Sequence, residues 1–222
     1  MNCKPDPDRV AQCALLAMLF ELSSSPKPGN VDRCHDFSDI GFHHFLTSAV
    51  SAYPVFRRAA EGGAGPGPLI QEAVAAWKKW NMFSNTHFGS LVLMIPLAIA
   101  AGRRGELQEE LKGVLDQSST EDALAFYRAF SRARARVVDV ESYSLSDGNC
   151  EQKLQESGKS LMDLMSLSSD HDLIAREWST YYQRCFSLSD RMAQKIEEKG
   201  LNEGVVRSYL EALAEVPDSL VQ

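Results

Sequence analysis

The sequence predicts an all-α protein, a single-domain bundle or array of about eight to ten helices. Three observations carry that expectation. Apolar residues recur at spacings of three and four, as in Val10, Ala14, Ala17, Met18 and Leu22 or in Leu124, Tyr127, Phe130 and Ala133, which is the period of one helix face. Stretches rich in Gly, Pro and short polar residues separate these runs. No internal repeat, low-complexity segment or sustained heptad replaces that pattern with a solenoid or a coiled coil. With 222 residues, 44% of them hydrophobic, the chain is long enough to bury a substantial core. Residues 1–222 read as one all-helical domain, and a connector at 139–150 marks where it would divide into two lobes.

The first helix runs from Asp8 to about Ser23, with Asp6 or Asp8 at its start. Glu21 follows Ala17 by four residues and Met18 by three, which places it on the apolar face. A core-facing carboxylate is costly unless paired, so Glu21 is either balanced by Lys27 or Arg33 or a metal ligand. A second helix covers Gly41 to Ala60, with Phe42, Phe45, Leu46, Ala49 and Val50 on one side and His43 and His44 near its start. Those histidines, Cys34 and His35 have no recognised zinc spacing, and no zinc is assigned. After the Gly/Pro-rich stretch 61–68, Ile70, Val74, Trp77 and Trp80 share a helix face, as core rather than a base-stacking platform.

Thr86 to Ala101 is the most apolar helix, with Ser84 or Asn85 as its N-cap and Gly102 as its stop. Pro96 should kink it, and Gly89, one turn in, leaves room for a ligand or another helix. Helices at about Glu106 to Asp116 and Thr120 to Val138 follow. Arg128, Arg132, Arg134 and Arg136 on the second read mostly as a solvated face. The connector holds Asp147-Gly148-Asn149 and a short β excursion near Glu141 to Leu145. The last helices fall at about Glu151 to Leu167, Asp170 to Phe186, Ser189 to Lys199 and Asn202 to Leu213. Asp170, His171 and Asp172 stand where acidic groups complement a helix dipole.

A formal charge of −7 argues against a broad nucleic-acid face. The five cysteines are scattered without a C-x-x-C pair, which favours reduced thiols over a disulfide frame or structural zinc. No run has the eighteen or so apolar residues that a membrane span needs, and the N-terminus does not read as a signal peptide. The expected location is the cytoplasm, and a homodimer is compatible with these features.

Two stretches carry the chemistry. Ser25-Pro-Lys-Pro-Gly-Asn-Val-Asp-Arg-Cys-His-Asp36 packs two prolines, a glycine and five ionisable side chains into one turn. The prolines stiffen the backbone and Gly29 can take a positive φ. Lys27 and Arg33 suit phosphate as a point charge and a fork, Asn30 offers donor and acceptor, and Asp32 and Asp36 are hard oxygen ligands suited to Mg²⁺. The same residues also suit a solvated connection between helices. The second stretch, Asn85-Thr86-His87-Phe88-Gly89, opens the apolar helix, where free N–H groups and the macrodipole favour anions such as phosphate.

Pro-Lys-Pro-Gly-Asn-Val-Asp-Arg, then His35-Asp36-Phe37, then Asn-Thr-His-x-Gly about fifty residues on, resembles the triphosphoribosyl-dephospho-CoA synthase family. The similarity is good over roughly residues 10 to 102 and poor beyond. It implies an all-helical enzyme that uses ATP with Mg²⁺, joins the triphosphoribosyl unit to 3′-dephospho-CoA and releases adenine. On that resemblance Lys27, Asn30, Arg33, His35, Asn85, Thr86 and Gly89 bind the nucleotide. Glu21, Asp32 and Asp36 hold the metal, and Asp36, Asp32 and His87 are the catalytic candidates. Two departures leave the acceptor open. Phe88 stands where the family has a basic residue, and a later Thr-Gly-Ala-Arg-Gly type block is absent. A related pentosyl or triphosphoribosyl transfer in the making of another cofactor, such as a pterin-type one-carbon carrier, is the enzymatic alternative, and a non-catalytic nucleotide-binding helical protein is the rival of another class.

Overall fold

In the computed structural model, residues 5–80, 85–133 and 150–216 are described. Among them are eleven α-helices and no β-strand, slightly more helices than the sequence suggests. The calls at Ser84, Arg134, Arg136 and Asp147-Gly148-Asn149, the β excursion at 141–145 and the lobe division at 139–150 lie outside the described residues.

Helix α1 (Pro7–Ser23) starts at Asp6, whose side chain accepts from the Asp8 N–H, as an N-cap should. It packs along α2 (Phe42–Glu61) and buries Ala11, Met18 and Leu22. That stripe is narrow, so Ala17 lies exposed beside it and the Glu21 side chain is 52% exposed. This corrects the expectation of a core-facing Glu21. Val50, expected on the buried side of α2, is also exposed.

Helix α3 (Pro66–Trp77) pairs with α6 (Thr120–Ala133). Buried Asp122 joins them by accepting from the Gly67 N–H of α3 and from the backbone and hydroxyl of Ser119. Leu124, Tyr127, Phe130 and Ala133 form the buried stripe that their spacing predicts. Trp77 is core, but Trp80 falls in a 3₁₀ turn (Lys78–Trp80) after α3 and is 60% exposed. The α-helical period ends at Trp77, so Trp80 loses the register that would have carried it inward.

Helix α4 (Phe88–Ala101) is central. It packs against α1, α2, α3, α5 (Leu107–Asp116) and α9 (Leu173–Ser179). Pro96 has no N–H to give the Val92 carbonyl one turn earlier. Val92 is fully buried, where an orphaned carbonyl costs about 1–3 kcal/mol. Trp178 of α9 supplies the missing donor, its indole Nε1–H reaching Val92 O at 3.2 Å. Tyr182 donates from its hydroxyl to the next carbonyl, Leu93, at 3.1 Å. The proline in α4 thus gives Trp178 its docking point, and Tyr182 docks beside it.

Two helices expected to be continuous are broken. Gly158, at φ 63°, separates α7 (Cys150–Ser157) from α8 (Leu161–Ser168), which starts afresh on a Ser160–Asp163 capping box. Tyr181 and Tyr182, at φ 53° and 61°, turn the chain between α9 and α10 (Gln183–Lys199). Left-handed tyrosines cost about 1–3 kcal/mol each. The docking of Tyr182 onto α4 offsets part of that strain. Helix α10 then runs straight through Phe186 to Ser189, where the sequence suggested a gap, and pairs with α11 (Leu201–Glu215). No residue of α10 is buried, so this hairpin is a flank held mainly through α11.

Candidate nucleotide site at the start of α4

Three segments meet here: the loop 24–41, the first two turns of α2 and the start of α4. The loop's shape depends on Asp32. Its side chain is fully buried, with Oδ2 accepting from Lys27 N at 2.9 Å and Oδ1 from Cys34 N at 2.8 Å. The His35 ring Nδ1 lies 3.2 Å from Oδ1, and the backbones of Asp32 and His35 bond reciprocally. Burial alone would raise the carboxyl pKa, but the donors from Lys27, Cys34, His35 and Ser25 outweigh it and hold it at about 2. Asp32 therefore acts as an ionised hub that folds the loop around itself.

Lys27 is also internal, its side chain 1% exposed. Its ammonium bonds the Glu21 carbonyl oxygen at 2.6 Å and pairs with the Glu21 carboxylate. It thereby adds a second donor to a carbonyl that already accepts from the Ser24 N–H at 3.2 Å, at the end of α1 where a cation is favoured. Asp36 is exposed and accepts from the Phe42 N–H at 2.6 Å, capping α2. Asn30 is half-buried, with its backbone N–H turned to the Lys27 carbonyl. Arg33 is exposed without a partner among the described residues, and the His35 side chain is 67% exposed.

These placements leave the expected metal ligands Glu21, Asp32 and Asp36 apart from one another in use. Among the described residues no three His, Cys, Asp or Glu side chains come together to hold an ion. Each member of the expected set is used locally: Glu21 by Lys27, Asp32 by the loop backbone, Asp36 by α2.

The start of α4 is built differently. Asn85 is exposed and its Oδ1 accepts from the Phe88 N–H at 3.1 Å, so the helix begins two residues later than the sequence suggests. The N–H groups of Gly89 and Ser90 fall in the first turn, where no intrahelical acceptor exists. His87 is 5% exposed and touches both Ser48, whose Oγ is 2.9 Å from Nδ1, and the Phe45 ring, which stands perpendicular to it with centroids 4.9 Å apart. Burial first, and the nearby Lys27 ammonium second, push its pKa down to about 4. Its Nε2 is shielded from solvent with no partner, and so is Thr86 Oγ1, among the described residues. Gly89 has its open side taken by the fold. A Cβ there would lie 2.6 Å from Ile174 Cδ1 of α9, so the missing side chain makes room for a helix and only the backbone remains for a ligand. Phe88 is buried in a cluster with Phe126 and Phe130, which turns this departure from the family's basic residue toward the core.

Sequence reasoning missed four participants. Ser48 and Phe45 hold His87 from α2, which begins about 9 Å away along its axis at Phe42. Asn202 of α11 clasps Ser25 in both directions, accepting from its N–H at 3.0 Å and donating to its carbonyl at 2.9 Å. Tyr209 donates to the Pro28 carbonyl at 2.5 Å. A small polar residue inside the apolar stripe of α2 was the one available signal for Ser48. Nothing local signals a clasp between residues so far apart in the chain.

A family model described as ATP:dephospho-CoA triphosphoribosyl transferase matches residues 7–222, well past Gly102, beyond which the sequence motifs match poorly. A probable 2-(5″-triphosphoribosyl)-3′-dephosphocoenzyme-A synthase of Streptococcus pyogenes is 32% identical over 148 residues, covering 60% of this chain and 50% of the relative. Its counterpart in Streptococcus equi subsp. zooepidemicus is 29% identical over 154 residues, with 62% and 52% covered. The chain spans about half the length of these curated relatives. The crystal structure of a protein described as a triphosphoribosyl-dephospho-CoA synthase from Archaeoglobus fulgidus superposes with a TM-score of 0.67 at 26% identity, over 81% of this chain and 74% of that one. Matched along almost its whole length, the chain belongs to the ATP:dephospho-CoA triphosphoribosyl transferase family.

Proposed function

We propose that the protein transfers the triphosphoribosyl unit of ATP to a hydroxyl of 3′-dephospho-CoA and releases adenine. The acceptor oxygen forms the new bond to the anomeric carbon. The carbon–nitrogen bond to adenine breaks with its electron pair going to the base, and the hydroxyl proton ends, in net terms, on adenine. The observation that carries this reading is the buried imidazole of His87 at a helix N-terminus, whose Nε2 has no partner among the described residues. Native proteins rarely leave a shielded polar atom without a partner, and a ligand is one way to complete it.

The roles follow from placement. The free N–H groups at the start of α4, with Thr86 and Asn85, receive ribose and phosphate oxygens. Lys27 and Arg33 meet the triphosphate. The exposed Glu21 carboxylate is the member of its pair that can swing aside from buried Lys27. Magnesium enters as the counter-ion of the triphosphate. Asp36, exposed at the head of α2, is the carboxylate available to orient the attacking hydroxyl, and Asp32 holds the loop that carries these groups.

The test is to incubate the protein with ATP and magnesium, with and without 3′-dephospho-CoA, and to follow adenine chromatographically. Adenine should appear with the acceptor, in step with the joined product. Because the late glycine-rich block is absent, a parallel arm with a pterin-type acceptor decides the acceptor class. Intact ATP in every arm would leave a nucleotide-binding protein without this activity.

A further inference from the structure

His87 and Ser48 share one hydrogen bond, and counting protons decides which way it runs. Ser48 is fully buried on α2, with its Oγ 2.9 Å from His87 Nδ1 and no other hydroxyl partner among the described residues. The neighbouring Ser51 hydroxyl does not compete, because it donates to the Ser48 carbonyl at 2.8 Å. If Nδ1 carried the ring proton, the Ser48 hydroxyl proton would be buried without an acceptor, which native structures avoid. The Ser48 O–H therefore donates to Nδ1. At neutral pH the ring holds a single proton, since its pKa lies near 4. That proton is left on Nε2, the atom that is shielded and without a partner.

We propose that Ser48 is a positioning residue that fixes His87 as an Nε2–H donor, and that the ligand atom completing this donor is an unprotonated ring nitrogen of a purine base. The ring nitrogen is favoured over a phosphate oxygen by the surroundings. The Phe45 ring stands perpendicular to the imidazole, centroid to centroid 4.9 Å, an aromatic neighbour of the kind a flat base packs against, whereas the Lys27 ammonium and the helix N–H groups serve anions. A donor at a second ring nitrogen also stabilises the electron pair that departing adenine takes with it. The choice of purine rests on the nucleotide reading of the site; the tautomer does not.

The experiment is nitrogen NMR of protein labelled with ¹⁵N-histidine at neutral pH, His87 being assigned by its loss in His87→Gln. The ring should show a protonated Nε2 and a bare Nδ1. Ser48→Ala should lose that single tautomer and give a mixture, while Ser48→Thr, which keeps the hydroxyl, restores it. Adenosine should move the Nε2 resonance and inorganic tripolyphosphate should not. In turnover, Ser48→Ala should lower kcat for adenine release about tenfold with KM for ATP nearly unchanged, and Ser48→Thr should recover most of it. A proton found on Nδ1, or an unchanged tautomer in Ser48→Ala, overturns the positioning role. A shift produced by tripolyphosphate alone overturns the purine assignment. If the tautomer behaves as stated while wild-type protein releases no adenine with any acceptor, the transferase reading fails and the Ser48–His87 arrangement stands.

Discussion

The loop from Ser25 to Asp36 and the start of α4 use the same kinds of side chain but differ in how their hydrogen bonds end. In the loop, buried Asp32 is met by two backbone N–H groups and an imidazole, and buried Lys27 by a carbonyl and a carboxylate. At the start of α4, buried His87 is met on one side only, and Thr86 Oγ1 on none among the described residues. Proline and charge density drew attention to the loop, yet its buried polar groups mostly complete one another. On the proposed function, the difference sets a loop interior built mainly as scaffold, with Lys27 able to exchange its exposed Glu21 partner for a phosphate, against a candidate site at the start of α4. A buried polar group whose bonds close within the protein stabilises the fold, whereas one left open imposes a cost that a ligand can offset.

The largest expected effect lies on the scaffold side. Asp32→Ala leaves the N–H groups of Lys27 and Cys34 without their acceptor inside the fold. It should lower unfolding free energy by about 4 kcal/mol, within the range for breaking a buried charged interaction, as read by denaturant titration. A loss below about 1 kcal/mol would show that Asp32 is not the hub, and the contrast between the two regions would collapse.

Acid titration separates the regions by pH window. His87 is held neutral in the fold, its pKa depressed to about 4, so the unfolded chain binds more protons once pH drops below about 6.5. Stability should fall between pH 6.5 and 4 by on the order of 3 kcal/mol from this group. Asp32 is also depressed, to about 2 from 3.8. Its contribution is present above pH 3.8 and lost as pH falls toward 2, by roughly 2 kcal/mol. His87→Leu should flatten the upper window and Asp32→Asn the lower one. A single variant that flattens both would mean that the regions titrate as one unit.

Ligand-linked stability gives the next effect. Without nucleotide at pH 7, His87→Leu combined with Ser48→Ala should be as stable as wild type or slightly more so, since the pair removes the open polar atom together with the buried hydroxyl that His87→Leu alone would leave without its acceptor. Wild type at an ATP concentration a hundredfold above its dissociation constant should gain roughly 2.7 kcal/mol, and the variant should gain little of it. A variant that loses apo stability and keeps the ATP response would make His87 scaffold like Asp32.

Much of this fold was legible in the sequence because its helices are amphipathic, and α2 and α5 lie close to their expected spans, while α6 starts at Thr120 as expected. The family was legible because its loop and helix-start motifs are contiguous. Breaks set by tertiary contacts were not. The left-handed turn at Tyr181 and Tyr182 exists because Tyr182 must reach a carbonyl of α4, and no local propensity announces that. Residue chemistry pointed to Lys27, Asp32 and Asp36 as ligand groups, but the same chemistry lets them satisfy helix ends and loop amides. Only the partner of each atom decides between those uses, and partners come from segments that sequence spacing does not connect.

The smallest expected effect tests how much of the loop's order comes from outside it. Asn202 clasps both backbone groups of Ser25, and Tyr209 reaches Pro28, so α11 holds the loop at its N-terminal half while Asp32 holds it from within. Asn202→Ala removes two hydrogen bonds at a partly buried place, where water can replace some of what is lost, and about 1 kcal/mol of destabilisation is expected. Tyr209→Phe, at an exposed carbonyl, should cost less. If the clasp and the hub order the same backbone, Asn202→Ala combined with Asp32→Ala should cost less than the sum of the two, because the second change acts on a loop already loosened. Hydrogen exchange at the Asn30 N–H, which turns onto Lys27 in the intact loop, reports that loosening directly. Strict additivity with unchanged exchange in Asn202→Ala would mean that α11 rests on the loop without shaping it.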